Sequence, residues 1–125
     1  MTNEFEASKP IYIQIAEQIA YQMVRGELEP GAKLPSVRDM AVQAGVNPNT
    51  IQRTYSEMER TGIVEAKRGQ GTFVTENREV LAQLKINMQT EMIETFVNNM
   101  EKLGFTSGEM VAGLHRYLEE GKHDS

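Results

Sequence analysis

Between Leu34 and Val74 the chain reads L-P-S-V-R-D-M-A-V-Q-A-G-V-N-P-N-T-I-Q-R-T-Y-S-E-M-E-R-T-G-I-V-E-A-K-R-G-Q-G-T-F-V, and the start and stop signals in this stretch constrain the fold more than any other feature. Ser36 and Asp39 have the S-x-x-D spacing of a capping box. Val37, Met40, Ala41 and Ala44 follow at i, i+3, i+4 and i+7, which predicts a helix of about two turns with one buried face. Gly45 supplies the positive φ of a tight turn. Asn47 can cap the next helix, with Pro48 at its first position. Ile51, Tyr55 and Met58 form the inner face of that helix, Asn49, Thr50, Gln52, Arg53 and Ser56 lie on the other, and Gly62 stops it. Two short β-prone runs, residues 63–66 and 72–74, then flank Lys67-Arg68-Gly69-Gln70-Gly71. That pattern reads as a hairpin with a cationic, glycine-rich tip. Two helices joined by so short a link match a helix-turn-helix, and the hairpin makes it a winged one.

The side chains suit contact with a DNA duplex. The second helix of such a unit lies in the major groove with its N-terminal residues nearest the bases. Asn and Gln can read adenine with two hydrogen bonds, Arg can read guanine, and Thr can touch a base or the thymine methyl. A polar helix face alone is equally well explained by solvation. The adjoining hairpin decides between the two, because its glycines allow close approach to a phosphate and Lys67 and Arg68 supply charge.

The flanking segments read as support. Residues 1–9 are polar and expected to be mobile, with Ser8 as a cap. From Pro10, a stripe of Ile11, Ile15, Ile19 and Met23 predicts a supporting helix that ends at Gly26, before a Glu29-Pro30-Gly31 turn. Ala32-Lys33-Leu34 suggests a short strand. Beyond the hairpin, Leu81, Leu84, Met88, Met92, Phe96, Met100 and Leu103 form one stripe of a helix from about Glu79 to Leu103, and Ile86, Ile93 and Val97 form a second. Apolar residues on two sides exceed what one small domain covers, so a second copy of the chain is the expected cover, through Leu84, Met88, Met92, Phe96 and Met100. Gly104 ends this helix, and a Thr106–Glu109 capping box opens a last one bearing Met110, Val111, Leu114 and Leu118. The reading is therefore a mainly α chain. A winged helix-turn-helix domain of three helices and a hairpin spans residues 1–75, and a two-helix dimerisation tail spans residues 76–125.

Composition narrows the function classes. The net charge is −5, but residues 1–75 carry 8 Lys/Arg against 9 Asp/Glu while residues 76–125 carry 5 against 9, so the acidity sits in the tail. There is no cysteine, and His115 and His123 are expected at the surface without a second carboxylate or histidine at ligand spacing. No phosphate-loop motif occurs, and Glu57 and Glu59 point to different sides of one turn, so no catalytic constellation, metal site or cofactor is expected. No apolar run approaches a membrane span and no signal peptide is apparent, which makes a cytoplasmic protein the simplest expectation. The other class open to this fold is a winged-helix protein-interaction module without DNA binding; the polar recognition face argues against it.

With P-I-Y-I-Q-I at 10–15, L-P-S-V-R-D at 34–39, G-V-N-P-N-T at 45–50 and G-Q-G-T-F-V at 69–74, the chain resembles the GntR family of bacterial transcription regulators over about residues 10–75. The resemblance implies DNA contacts at Arg38, at Asn49, Thr50 and Gln52 of the recognition helix, and at Arg68 and Gly69 of the wing, with Asn47, Arg53 and Lys67 as further candidates. Pro48 stands where part of the family has a base-reading arginine. The tail is too short for the large effector domains of many members and is similar to the short tail of the YtrA subfamily. That implies a compact homodimeric repressor, often of a transporter operon, on an inverted-repeat operator, with room left for a small-molecule effector.

Overall fold

The structure is a computed structural model and describes residues 5–121. Its elements run α1 (Ile11–Val24), α2 (Val37–Ala44), α3 (Pro48–Arg60), β1 (Val64–Lys67), β2 (Gly71–Val74), α4 (Arg78–Lys102) and α5 (Ser107–Glu119). The chain divides into two compact units at Lys85/Ile86, within α4.

In the first unit, α1, α2 and α3 surround a core of Ile15, Ile19, Met23, Leu34, Met40, Ala41, Ala44, Ile51, Tyr55, Met58, Ile63, Val64 and Val74. These are the apolar stripes of the three helices plus the ends of the hairpin, so burial follows the sequence periodicity except at Ile11, which opens α1 and is 43% exposed. Val80, Leu81 and Leu84 from the start of α4 pack against the same core. Helices α1 to α4 end alike. The residue after each closing glycine donates its N–H five residues back: Glu27 to Gln22, Val46 to Ala41, Ile63 to Met58 and Phe105 to Met100, at 2.8–3.2 Å. This is the Schellman closure. It matters most at Gly45, whose φ of 69° turns the chain sharply enough for α2 and α3 to share one core.

The expected starts need amendment in three places. Ser8 does not cap α1; Pro10 is the N-cap and makes no side-chain bond. Residues 5–9 are not a loose lead either. The buried Gln14 accepts from Glu6 N–H (2.7 Å) and donates to the Glu6 and Lys9 carbonyls (2.7 and 2.8 Å), and Phe5 packs on the core. Ser36 Oγ accepts from Asp39 N–H at 3.1 Å, but the short Asp39 carboxylate makes no return bond, so the box is half-formed.

The hairpin pairs Val64 with Val74, Glu65 with Phe73, Ala66 with Thr72 and Lys67 with Gly71, antiparallel. Its tip is shorter than the sequence suggests, because Lys67 and Gly71 pair and only three residues remain. Gln70 N–H closes the turn on the Lys67 carbonyl at 2.9 Å, and Gly69 takes a φ of 76°. Ile63 stays out of the strand because its N–H closes α3. The short strand expected at 32–34 is an isolated bridge of Lys33 to Phe73.

The second unit holds the rest of α4 and α5. Asn77 Oδ1, which the sequence reading passed over, caps α4 by accepting from Glu79 and Val80 N–H (3.0 and 3.3 Å). The 25-residue helix is about 37 Å long and buries no residue fully. Met88, Phe96, Val97 and Met100 are half-buried, whereas Ile86, Met92 and Ile93 are exposed. The Thr106–Glu109 box is complete in both directions (2.9 and 3.3 Å), and Met110 is the buried anchor of α5. A groove of about 680 Å³ opens between Phe96 and Met100 of α4 and Leu114, Arg116 and Tyr117 of α5. His115 is exposed but does face a carboxylate one turn on, with Nε2 3.4 Å from Glu119 Oε1. His123 lies outside the described residues. Among those residues no group of three or more His, Asp or Glu could hold a metal, and no helix is long and apolar enough to cross a membrane.

Candidate nucleic-acid interface

Three features fix the outward face of α3. Its N-cap Asn47 accepts from Asn49 N–H through Oδ1 at 2.8 Å, which orients the first turn and engages that oxygen within the chain. Thr54, fully buried, shares its hydroxyl proton between the carbonyls of Tyr12 (3.1 Å) and Thr50 (2.9 Å), tying α3 to α1. Tyr55 donates its phenolic proton to the Pro35 carbonyl at 2.7 Å, tying α3 to the entrance of α2. Burial raises the Tyr55 phenol to about 12, so it stays a donor throughout the neutral range.

With Ile51, Thr54, Tyr55 and Met58 turned inward, Asn49, Gln52, Arg53 and Ser56 are exposed and Thr50 is half-buried at the margin. Arg38 stands exposed in the first turn of α2. The Arg53 guanidinium lies 4.0 Å over the Tyr12 ring centroid. Such a contact contributes about 0.5–1 kcal/mol at an exposed site and holds a long side chain in one orientation. Glu57, one turn on from Arg53, is engaged by Arg60 Nε at 3.2 Å, and that bond holds its carboxyl below the usual range. On the hairpin, Lys67, Arg68 and Gly69 are all exposed, with Lys67 Nζ 4.7 Å from the Phe73 ring centroid. Arg38, Arg53, Lys67 and Arg68 form no ion pair among the described residues.

The sequence gives neither Tyr12 nor Thr54 a role at this face. Thr54 follows Ile51 by three residues and so belongs geometrically to the inner face; its polarity concealed it. Tyr12 lies beside the α1 stripe, and no single-helix period links it to Arg53. Leu84, grouped with the interface stripe by spacing, packs on the core of the first unit.

A helix-turn-helix whose second helix presents amides and cations, followed by a cationic wing, defines a DNA-binding regulator of the winged-helix class. The family profile of the bacterial regulatory proteins, gntR family, matches residues 11–74, and the chain belongs to that family. It is 59% identical over 121 residues to the HTH-type transcriptional regulator YhcF of Bacillus subtilis, covering 97% of this chain and all of that protein. It is 36% identical over 115 residues to the transcriptional repressor YtrA of the same organism, covering 91% of this chain and 85% of that one. The fold is similar to a GntR family transcriptional regulator from Listeria monocytogenes, with TM-score 0.85 and 40% identity over 90% of this chain and 98% of that one. It is also similar to the DNA-binding domain of AraR in complex with operator ORR3, with TM-score 0.52 and 29% identity over 60% of this chain and 88% of that one.

Proposed function

We propose that this regulator acts as a homodimeric repressor on an inverted-repeat operator, with residues 1–75 reading DNA and residues 76–125 pairing two copies. Its recognition helix α3 lies in the major groove, where Asn49, Thr50 and Gln52 read bases. Arg38, Arg53, Lys67 and Arg68 hold the phosphates, Gly69 lets the wing backbone approach, and the free amide nitrogen of Asn47 is a lesser contributor. The observation that carries this reading is the outward α3 face, held by the buried ties of Thr54 to Tyr12 and of Tyr55 to Pro35 and presenting Asn49, Gln52 and Arg53 to solvent. The repressor sense follows the transcriptional repressor YtrA, to which the chain is 36% identical, and a transporter operon is the target class proposed with it. The pairing reading rests on the large apolar groups that the second unit leaves exposed, among them Met92, Ile93, Val111 and Leu118.

The test is a gel-shift titration on DNA selected from a random pool. Arg38→Ala is expected to weaken binding and to reduce its salt slope by about 1 while the protein still sediments as wild type does. Unchanged affinity would remove Arg38 from the interface, and a pool that yields no preferred sequence would overturn the reading of α3.

A further inference from the structure

The segment ahead of α2 is built into the wing. Gly31 N–H donates to Val74 O (2.9 Å), Val74 N–H to Ala32 O (2.8 Å) and Leu34 N–H to Thr72 O (2.8 Å). Residues 31–34 therefore run along the free edge of β2, with Lys33 opposite Phe73. Directly opposed residues of an antiparallel pair project from the same face, and positions two apart share it. Lys33, Phe73, Glu65, Lys67 and Gly71 thus lie on one face of the hairpin.

On that face Gly71 leaves bare backbone. A Cβ there would stand 3.0 Å from Lys33 Cε and 3.8 Å from Lys33 Nζ, so the lysine stem lies across the glycine. Lys67 reaches back from the other strand over the Phe73 ring. Two ammonium groups thus converge on one patch from different strands. Both lysines are exposed, and among the described residues neither forms an ion pair, even with Glu65 on the same face. An exposed lysine without an ion pair beside a second cation is an arrangement that an external anion completes.

We propose that Lys33 is a third wing cation, binding a phosphate of the DNA duplex alongside Lys67 and Arg68, and that Gly71 is the positioning residue that gives its stem room. This rests on the reading of the hairpin as a DNA-binding wing. In the sequence Lys33 falls in a run that reads as a short strand and Gly71 among the glycines of the hairpin tip, and no spacing links the two.

The experiment measures the affinity of the full chain for a mixed-sequence DNA duplex as a function of salt, for wild type, Lys33→Gln, Lys33→Arg and Arg68→Ala. Each phosphate contact releases about 0.9 counterion, so Lys33→Gln should flatten the slope of log affinity against log salt by about that much. Between about 50 and 200 mM salt the variant then loses about 3.5-fold less affinity than wild type does. Lys33→Arg should keep the wild-type slope, and both variants should melt with wild type. If Arg68→Ala flattens the slope and Lys33→Gln does not, the wing reading stands and Lys33 is not part of it. If neither moves the slope, both readings fall together. If Lys33→Gln and Lys33→Arg weaken binding equally at every salt concentration, Lys33 is a packing residue and the proposal is overturned.

Discussion

Tyr55 shows how one side chain serves both packing and geometry. From the sequence it is simply the middle member of an inner face, and its ring is buried as that spacing demands. The hydroxyl is the part the periodicity could not place, because its acceptor, the Pro35 carbonyl, lies twenty residues earlier. Tyr55→Phe should cost about 1 kcal/mol, read as a lowered melting temperature, with the core volume otherwise unchanged. The same group links stability to pH. An unfolded tyrosine ionises near 10.0 and Tyr55 in the fold near about 12. Its folded value is raised, so its contribution is complete below pH 10 and is lost as pH rises toward 12. Alkaline melts of wild type should show this loss beyond that of Tyr55→Phe; identical pH profiles would mean the phenol is not protected.

At the scale of elements, the helices were legible because each start and stop has a local chemical cause. Asn47, Thr106 and the closing glycines act within five residues of the ends they define. The hairpin was legible in type but not in length, since whether Lys67 pairs with Gly71 depends on the turn conformation that Gly69 adopts. Contacts between elements were the illegible part. Gln14 on Glu6, Thr54 on Tyr12 and Arg53 on Tyr12 each join residues with no shared period. The cap of α3 can be separated from any DNA role. Asn47→Ala should cost about 1 kcal/mol of stability, whereas Asn47→Ser, which also accepts from the first turn, should restore most of it. If Asn47→Ser melts with wild type and binds DNA as well, Asn47 is a cap alone. Weaker binding at full stability would assign its amide nitrogen to the interface.

For the whole molecule, the contrast between the two units bears on what each is for. The first buries a continuous core, while the second leaves Met92 at 55% and Ile93 at 52% exposure along a helix with no fully buried residue. The sequence made this surplus visible as a double apolar stripe, yet spacing alone could not separate Leu84, which packs inward on the first unit, from the groups further along the same helix. Met92→Lys tests the pairing proposal cleanly, because an exposed methionine in a single chain tolerates the exchange whereas a buried charge at an interface does not. Sedimentation should show wild type as a dimer and Met92→Lys shifted to monomer, with helix content by circular dichroism retained. A full dimer in the variant would place the pairing surface elsewhere.

The stacking of Arg53 on Tyr12 has a practical consequence. The chain has four tyrosines and no tryptophan, so its ultraviolet emission comes from phenol rings with no indole to drain it. Tyr12 sits beneath a cation that faces the proposed groove, while Tyr55 is sealed in the core. The protein thereby carries a native optical label next to its reading helix. Quenching of that emission by arriving nucleobases, compared between wild type and Tyr12→Phe, follows DNA approach without any added dye.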